Sequence, residues 1–210
     1  MRRIKITLNN DGLSLEAVLE LPDQPGKYPG VVLCHPDPRY GGSMSNNVLL
    51  AVSHGLAKAG IAGLRFNFRG VARSQGFFGG GVPEQSDART ALDFLARHEE
   101  VNPDRIGIMG YSFGGRVALP VGCADSVVKA IAGVSPVIPA GVLRDCVKPK
   151  LIICGSEDDM IPCAEILHEA VDMPEPKNIE VLPGVDHFWW CCEEEMARIV
   201  VNFFVNVLAG

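Results

Sequence analysis

The chain of 210 residues is long enough for one domain with a sizeable core and too short for two comfortable ones. A hydrophobic share of 47% and a charged share of 21% fit an ordinary globular protein, and a net charge of −6 argues against nucleic acid or an anionic membrane as a partner. Two arginines near the amino end are followed by no apolar stretch, and no apolar run reaches membrane-spanning length, so the expectation is a cytoplasmic protein with no signal peptide and no membrane insertion.

Residues 2 to 9 and 13 to 21 alternate in polarity around Asn10-Asp11-Gly12, which predicts an edge β-hairpin. A turn-rich connector runs from Pro22 to Pro29. Gly30 to His35 is a continuous apolar run of the buried, parallel kind. From there the pattern alternates. Helices are predicted at Asn46 to Ala59, Glu84 to His98, from Phe113, at Cys163 to Val171 and through Glu193 to Val207. Strands are predicted at Ile61 to Phe66, Arg105 to Met109, Val128 to Val134, Lys150 to Cys154 and Ile179 to Leu182. Such alternation means a mostly parallel sheet with helices on both faces, and its functional loops follow the carboxyl ends of the strands.

Gly110-Tyr111-Ser112-Phe113-Gly114 lies between a predicted strand and a predicted helix. A G-x-S-x-G turn in that context is a nucleophile elbow, with the serine hydroxyl exposed at the tip and small residues on either side because a Cβ would collide across the bend. Ser112 is therefore the candidate nucleophile, and the amide of Phe113 the first candidate donor to an oxyanion. The loop after the third strand, His35 to Ser43, is where a second donor is expected. Pro36 and Pro38 have no amide hydrogen, which leaves the amide of Asp37, while His35 is read as bracing the loop.

Two arginines in the next loop, Arg69 and Arg73, could clamp an anionic substrate but are expected rather to tie the loop to carbonyls or carboxylates, and Phe77 to Val82, with Gly79-Gly80-Gly81, reads as the most flexible segment of the chain. After the strand at 150 to 154, Glu157, Asp158 and Asp159 compete as the carboxylate that would orient a histidine. Asp158 is preferred, then Asp159, then Glu157. His187, between a tight turn and the last helix, is the candidate base; His54, His98 and His168 fall within or at the end of helices, where solvent is the default. Tyr111, Tyr40 and Trp189 are the expected substrate contacts. The seven cysteines include no C-x-x-C pair and read as free thiols rather than metal ligands, with Cys34 and Cys154 inside apolar strands.

Ser112, Asp158 and His187 occur in the Ser, Asp, His order of the α/β-hydrolase superfamily, which the whole chain resembles. The resemblance is carried by G-Y-S-F-G-G at 110 to 115, G-x-x-D-x-x-I-P at 155 to 162 and G-V-D-H-F at 184 to 188. C-H-P-D-P-R-Y-G-G-S-M-S-N-N at 34 to 47 and R-F-N-F-R-G-V-A-R-S-Q-G at 65 to 76 further resemble the small, lidless hydrolases near dienelactone hydrolase. In that subgroup the first stretch more usually reads H-P-H-P, so Asp37 is a departure, and an acidic residue more usually stands near Gly79 or Gly80. Dienelactone hydrolase has a cysteine nucleophile where this chain has Ser112, so lactone opening is not implied.

The resemblance implies one α/β-hydrolase domain over residues 1 to 210, a three-layer α/β/α sandwich around a mostly parallel twisted sheet of about eight strands. About fifteen residues separate Val134 from Lys150, enough for a turn and one short helix but not for a cap domain. The implied activity is that of a serine esterase acting on a small-molecule acyl substrate, ester or thioester, through an acyl-enzyme. No metal or cofactor is called for, and a homodimer is left open. Cleavage of an amide or peptide bond on the same residues, or a binding module without turnover, are the alternatives.

Overall fold

The computed structural model describes residues 1 to 208. Its strands are β1 (Arg2–Asn10), β2 (Leu13–Leu21), β3 (Tyr28–Cys34), β4 (Ala62–Phe66), β5 (Val101–Tyr111), β6 (Val128–Val134), β7 (Lys150–Gly155) and β8 (Lys177–Leu182). Its helices are α1 (Asn47–Lys58), α2 (Glu84–Arg97), α3 (Phe113–Ala124), α4 (Cys163–Val171) and α5 (Glu193–Leu208). The strands form one sheet in the order β1-β2-β4-β3-β5-β6-β7-β8. The β1 hairpin and the β2–β4 pairing are antiparallel, and all later pairings are parallel.

Side chains along a strand alternate between faces, and here that alternation sorts two cores. Val31 and Leu33 of β3, Met109 of β5 and Ile153 of β7 face α1 and α5, packing with Val52, Leu56, Val200 and Phe204. Val32 and Cys34, Ile106 and Ile108, and Ile152 face the other way, onto Leu92, Val117 and Ile166 of α2, α3 and α4. The central strands are covered on both sides, which is why they read as unbroken apolar runs rather than alternating ones.

Some stretches differ from the sequence reading. Strand β3 begins at Tyr28 inside the expected connector, because Tyr28 pairs with Val101 across a register shift. Residues 135 to 149 form only turns and bends, without the short helix the length would allow. Nothing in that segment is long enough to cover the carboxyl ends of the strands, and the described residues form no lid. Among the described residues no helix is long and apolar enough to cross a membrane.

The bend between β5 and α3 depends on two absent side chains. A Cβ on Gly110 would come 2.2 Å from the carbonyl oxygen of Gly114, and one on Gly114 would come 2.1 Å from that of Cys34. Both obstacles are backbone, so neither can swing aside. Ser112 itself is held at φ 54° and ψ −119°, a left-handed conformation costly for a residue with a Cβ.

Candidate active site

Three loops at the carboxyl ends of β5, β7 and β8 bring one hydroxyl, one carboxylate and one imidazole together. The Nε2 of His187 lies 3.0 Å from Ser112 Oγ, and its Nδ1 lies 2.8 Å from Asp158 Oδ2. The other oxygen, Oδ1, accepts from the amides of Met160 at 3.1 Å and Ile161 at 2.8 Å. All three side chains are buried, whereas Glu157 and Asp159 are exposed. Burial opposes ionisation of Asp158, but the hydrogen bonds from His187, Ile161 and Ser135 outweigh it and hold the carboxyl below the usual range. An ionised Asp158 fixes the proton of His187 on Nδ1 and leaves Nε2 free to accept from Ser112.

The loop opposite Ser112 is stiffened as its composition suggests. His35 is fully buried, with Nδ1 donating to the Pro36 carbonyl at 2.7 Å and Nε2 accepting from the Phe68 amide at 3.1 Å. Asp37 caps a short 3-10 turn at Pro38–Tyr40 and makes a two-oxygen pair with Arg39. Asp37 and Phe113 both line the hollow beside Ser112. As the first residue of α3, Phe113 has an amide with no acceptor inside its own helix.

Burial pushes the His35 imidazole down to about 4, against the opposing pull of the Pro36 carbonyl. The unfolded chain takes up this proton below its ordinary 6.5 and the folded chain only near 4. The contribution of His35 to stability is therefore complete above pH 6.5 and is lost as pH falls toward 4, by about 3 kcal/mol. Urea unfolding at pH 7 and pH 4.5 is expected to show this loss, and His35→Gln to flatten it. An equal loss in both proteins would show that the acid sensitivity lies elsewhere.

Two hollows meet at Ser112. One, of about 520 Å³, is lined by Tyr40, Asn47, Leu50, Tyr111, Phe188 and Trp190 among others. Its neighbour, of about 390 Å³, is lined by Arg39, Phe78, Gly80, Phe113, Arg116 and Val137. Asp37, Tyr40, Met160 and His187 border both. A larger hollow of about 800 Å³ lies along β1 and α2, and includes none of Ser112, Asp158 and His187.

Of the three expected substrate contacts, Tyr40 is exposed on both hollows, and Tyr111 forms buried wall while its hydroxyl donates to the His187 carbonyl at 2.7 Å. Trp189 is a correction. It is fully buried in the core beneath α5, with Nε1 donating to Ser135 Oγ at 3.2 Å, and cannot touch a substrate. Its neighbour Trp190 is the exposed indole at the hollow. The positive φ of Trp189, 62°, and of Cys191, 63°, turns the chain there, which alternation in the sequence does not reveal.

Arg69 pairs with Asp87 and does not face the hollows; Arg73 is exposed. The glycine-rich turn, expected to be flexible, is pinned by the buried carboxylate of Glu84, which accepts from the amides of Gly79 at 2.6 Å and Gly81 at 2.7 Å. All seven cysteines are free, with Cys34, Cys146 and Cys154 buried and Cys191 exposed.

Known proteins agree with this architecture. A serine hydrolase homologue from Coxiella burnetii superposes with a TM-score of 0.87 at 27% identity, covering 96% of this chain and 97% of that one. A serine hydrolase without a lid from Xanthomonas campestris gives 0.85 at 24% identity, covering 98% and 94%. An uncharacterized protein of Rickettsia prowazekii is 27% identical over 190 residues, 85% of this chain and 79% of its own length. The chain spans 64% or 44% of the length of other curated relatives. The family model for X-Pro dipeptidyl-peptidase (S15 family) matches residues 11–142, a span that holds Ser112 and ends before Asp158 and His187. The protein is thus a hydrolase by fold and family, and the chain belongs to the S15 family within the α/β-hydrolase superfamily.

Proposed function

We propose that the protein is a serine esterase, cleaving a carboxylic ester or thioester through an acyl-enzyme, with Ser112 as nucleophile, His187 as general base and acid, and Asp158 as the group that orients His187. The single observation that carries this reading is the unbroken hydrogen-bonded line from Asp158 through His187 to Ser112. Ser112 Oγ attacks the carbonyl carbon and its proton passes to His187 Nε2. The carbonyl oxygen becomes an oxyanion received by the amides of Phe113 and Asp37. Collapse breaks the bond to the leaving oxygen or sulfur, which takes the proton from His187. Water then attacks the acyl-enzyme, passes a proton to His187, and releases the acid as Ser112 recovers its hydrogen.

The S15 match favours a second reading, removal of a dipeptide from a peptide amino end. That reaction carries a free ammonium into the site, and an ammonium needs a carboxylate to receive it. Among the described residues the hollows around Ser112 offer only Asp37, which is already paired with Arg39. We therefore place ester and thioester substrates first. A panel of p-nitrophenyl esters, acyl thioesters and Gly-Pro p-nitroanilide tests the order. Turnover of the anilide at a kcat/KM above that of every ester would reverse it. The free thiols further support a cytoplasmic setting.

A further inference from the structure

The two hollows that meet at Ser112 differ in chemistry. One is walled by Leu50, Phe188 and Trp190; the other carries two guanidinium groups, Arg39 and Arg116, together with the ring of Phe78. Resting on the esterase reading above, we propose that the protein selects esters bearing a carboxylate on the Phe78 side of the scissile bond, and that Arg116 is the group that recognises it.

Arg39 is already matched. Its guanidinium pairs with Asp37 at 2.6 Å and lies 5.1 Å from the centre of the Phe78 ring. Arg116 forms no ion pair among the described residues. It is the fourth residue of α3, one turn beyond Ser112, and both line the same hollow. In a chain of net charge −6, this leaves an uncompensated cation one turn from the nucleophile, where it draws anions and repels ammonium groups.

The surrounding loop is shaped to leave Arg116 in place. A Cβ on Gly81 would fall 2.9 Å from Arg116 Nε and 3.0 Å from its Cδ, so the arginine stem lies across bare glycine backbone. Glu84 is the acid beneath this turn, and it is directed to the amides of Gly79 and Gly81. Guanidinium recognition of a carboxylate is charge-assisted and can use two parallel N–H donors, which suits an exposed arginine at the rim of an open hollow.

Two matched pairs of substrates test this. p-Nitrophenyl hemiglutarate against p-nitrophenyl pentanoate puts the charge on the acyl side; 3-carboxyphenyl butyrate against phenyl butyrate puts it on the leaving side. One pair is expected to favour the anionic ester by about tenfold in kcat/KM at low salt, and the preference to shrink in 0.5 M NaCl, a concentration chosen to bring the screening length to about 4 Å. Arg116→Gln is expected to erase that ratio through KM, Arg116→Lys to keep part of it, and Arg116→Glu to turn the preference toward a choline ester. A ratio unchanged by Arg116→Gln in both pairs overturns the proposal, while turnover of the neutral esters leaves the esterase reading standing. Failure of Ser112 to react with a fluorophosphonate, with no turnover of any ester, overturns both.

Discussion

Replacing Ser112 by alanine is expected to lower kcat/KM by about 10⁴- to 10⁶-fold on whichever ester the protein turns over best, and to abolish labelling by a fluorophosphonate probe. The size follows from what is removed. On the proposed mechanism no acyl-enzyme can form without the hydroxyl, and what remains is the help that the Phe113 and Asp37 amides would give to direct attack by water. The loss is expected to be chemical and not structural. Ser112 caps no helix amide through its side chain, and alanine meets the φ of 54° with the same Cβ that serine does. Only the 3.0 Å hydrogen bond to His187 disappears, so thermal unfolding should stay within a few degrees of the parent protein. An alanine variant that keeps even a hundredth of the parent rate, with folding intact, would mean that Ser112 is not the nucleophile.

Much of this arrangement is legible in the residues, and the reasons are local. The parallel strands are buried on both faces, so Val31 to Cys34 and Leu151 to Cys154 stand out as continuous apolar runs. Gly110 and Gly114 announce the bend because any larger residue meets backbone there. Other features depend on contacts between distant parts of the chain. Strand β5 extends back to Val101, ahead of the expected start at Arg105, because Tyr28 reaches across to pair with it. The adjacent tryptophans are equivalent as sequence; only the turn at Trp189 sends one indole into the core and the other to the hollow. Arg116 gives no signal either, since an exposed arginine on a helix is ordinary until the glycine turn is seen beneath it.

Asp158→Asn is expected to lower kcat by about 10⁴-fold with little change in KM, because the substitution reverses the proton on His187. Asparagine keeps one carbonyl oxygen, and the amides of Met160 and Ile161 both donate to Oδ1 at this position. The carbonyl therefore stays on them, and the NH₂ group is left facing His187 Nδ1, 2.8 Å away in the parent. A donor there requires Nδ1 to accept, which moves the ring proton to Nε2, where it opposes transfer from Ser112. Fluorophosphonate labelling of Ser112 should slow by a comparable factor, since it needs the same base. Asp159→Asn provides the contrast: Asp159 is exposed and has no hydrogen bond to the imidazole, so its loss should change kcat by less than about threefold. Were Asp159→Asn to cost as much as Asp158→Asn, the acid would be shared between the two or assigned to the wrong one. Were Asp158→Asn alone to leave kcat intact, the imidazole would not need its carboxylate, and the hydrogen-bonded line that supports the esterase reading would have no chemical consequence.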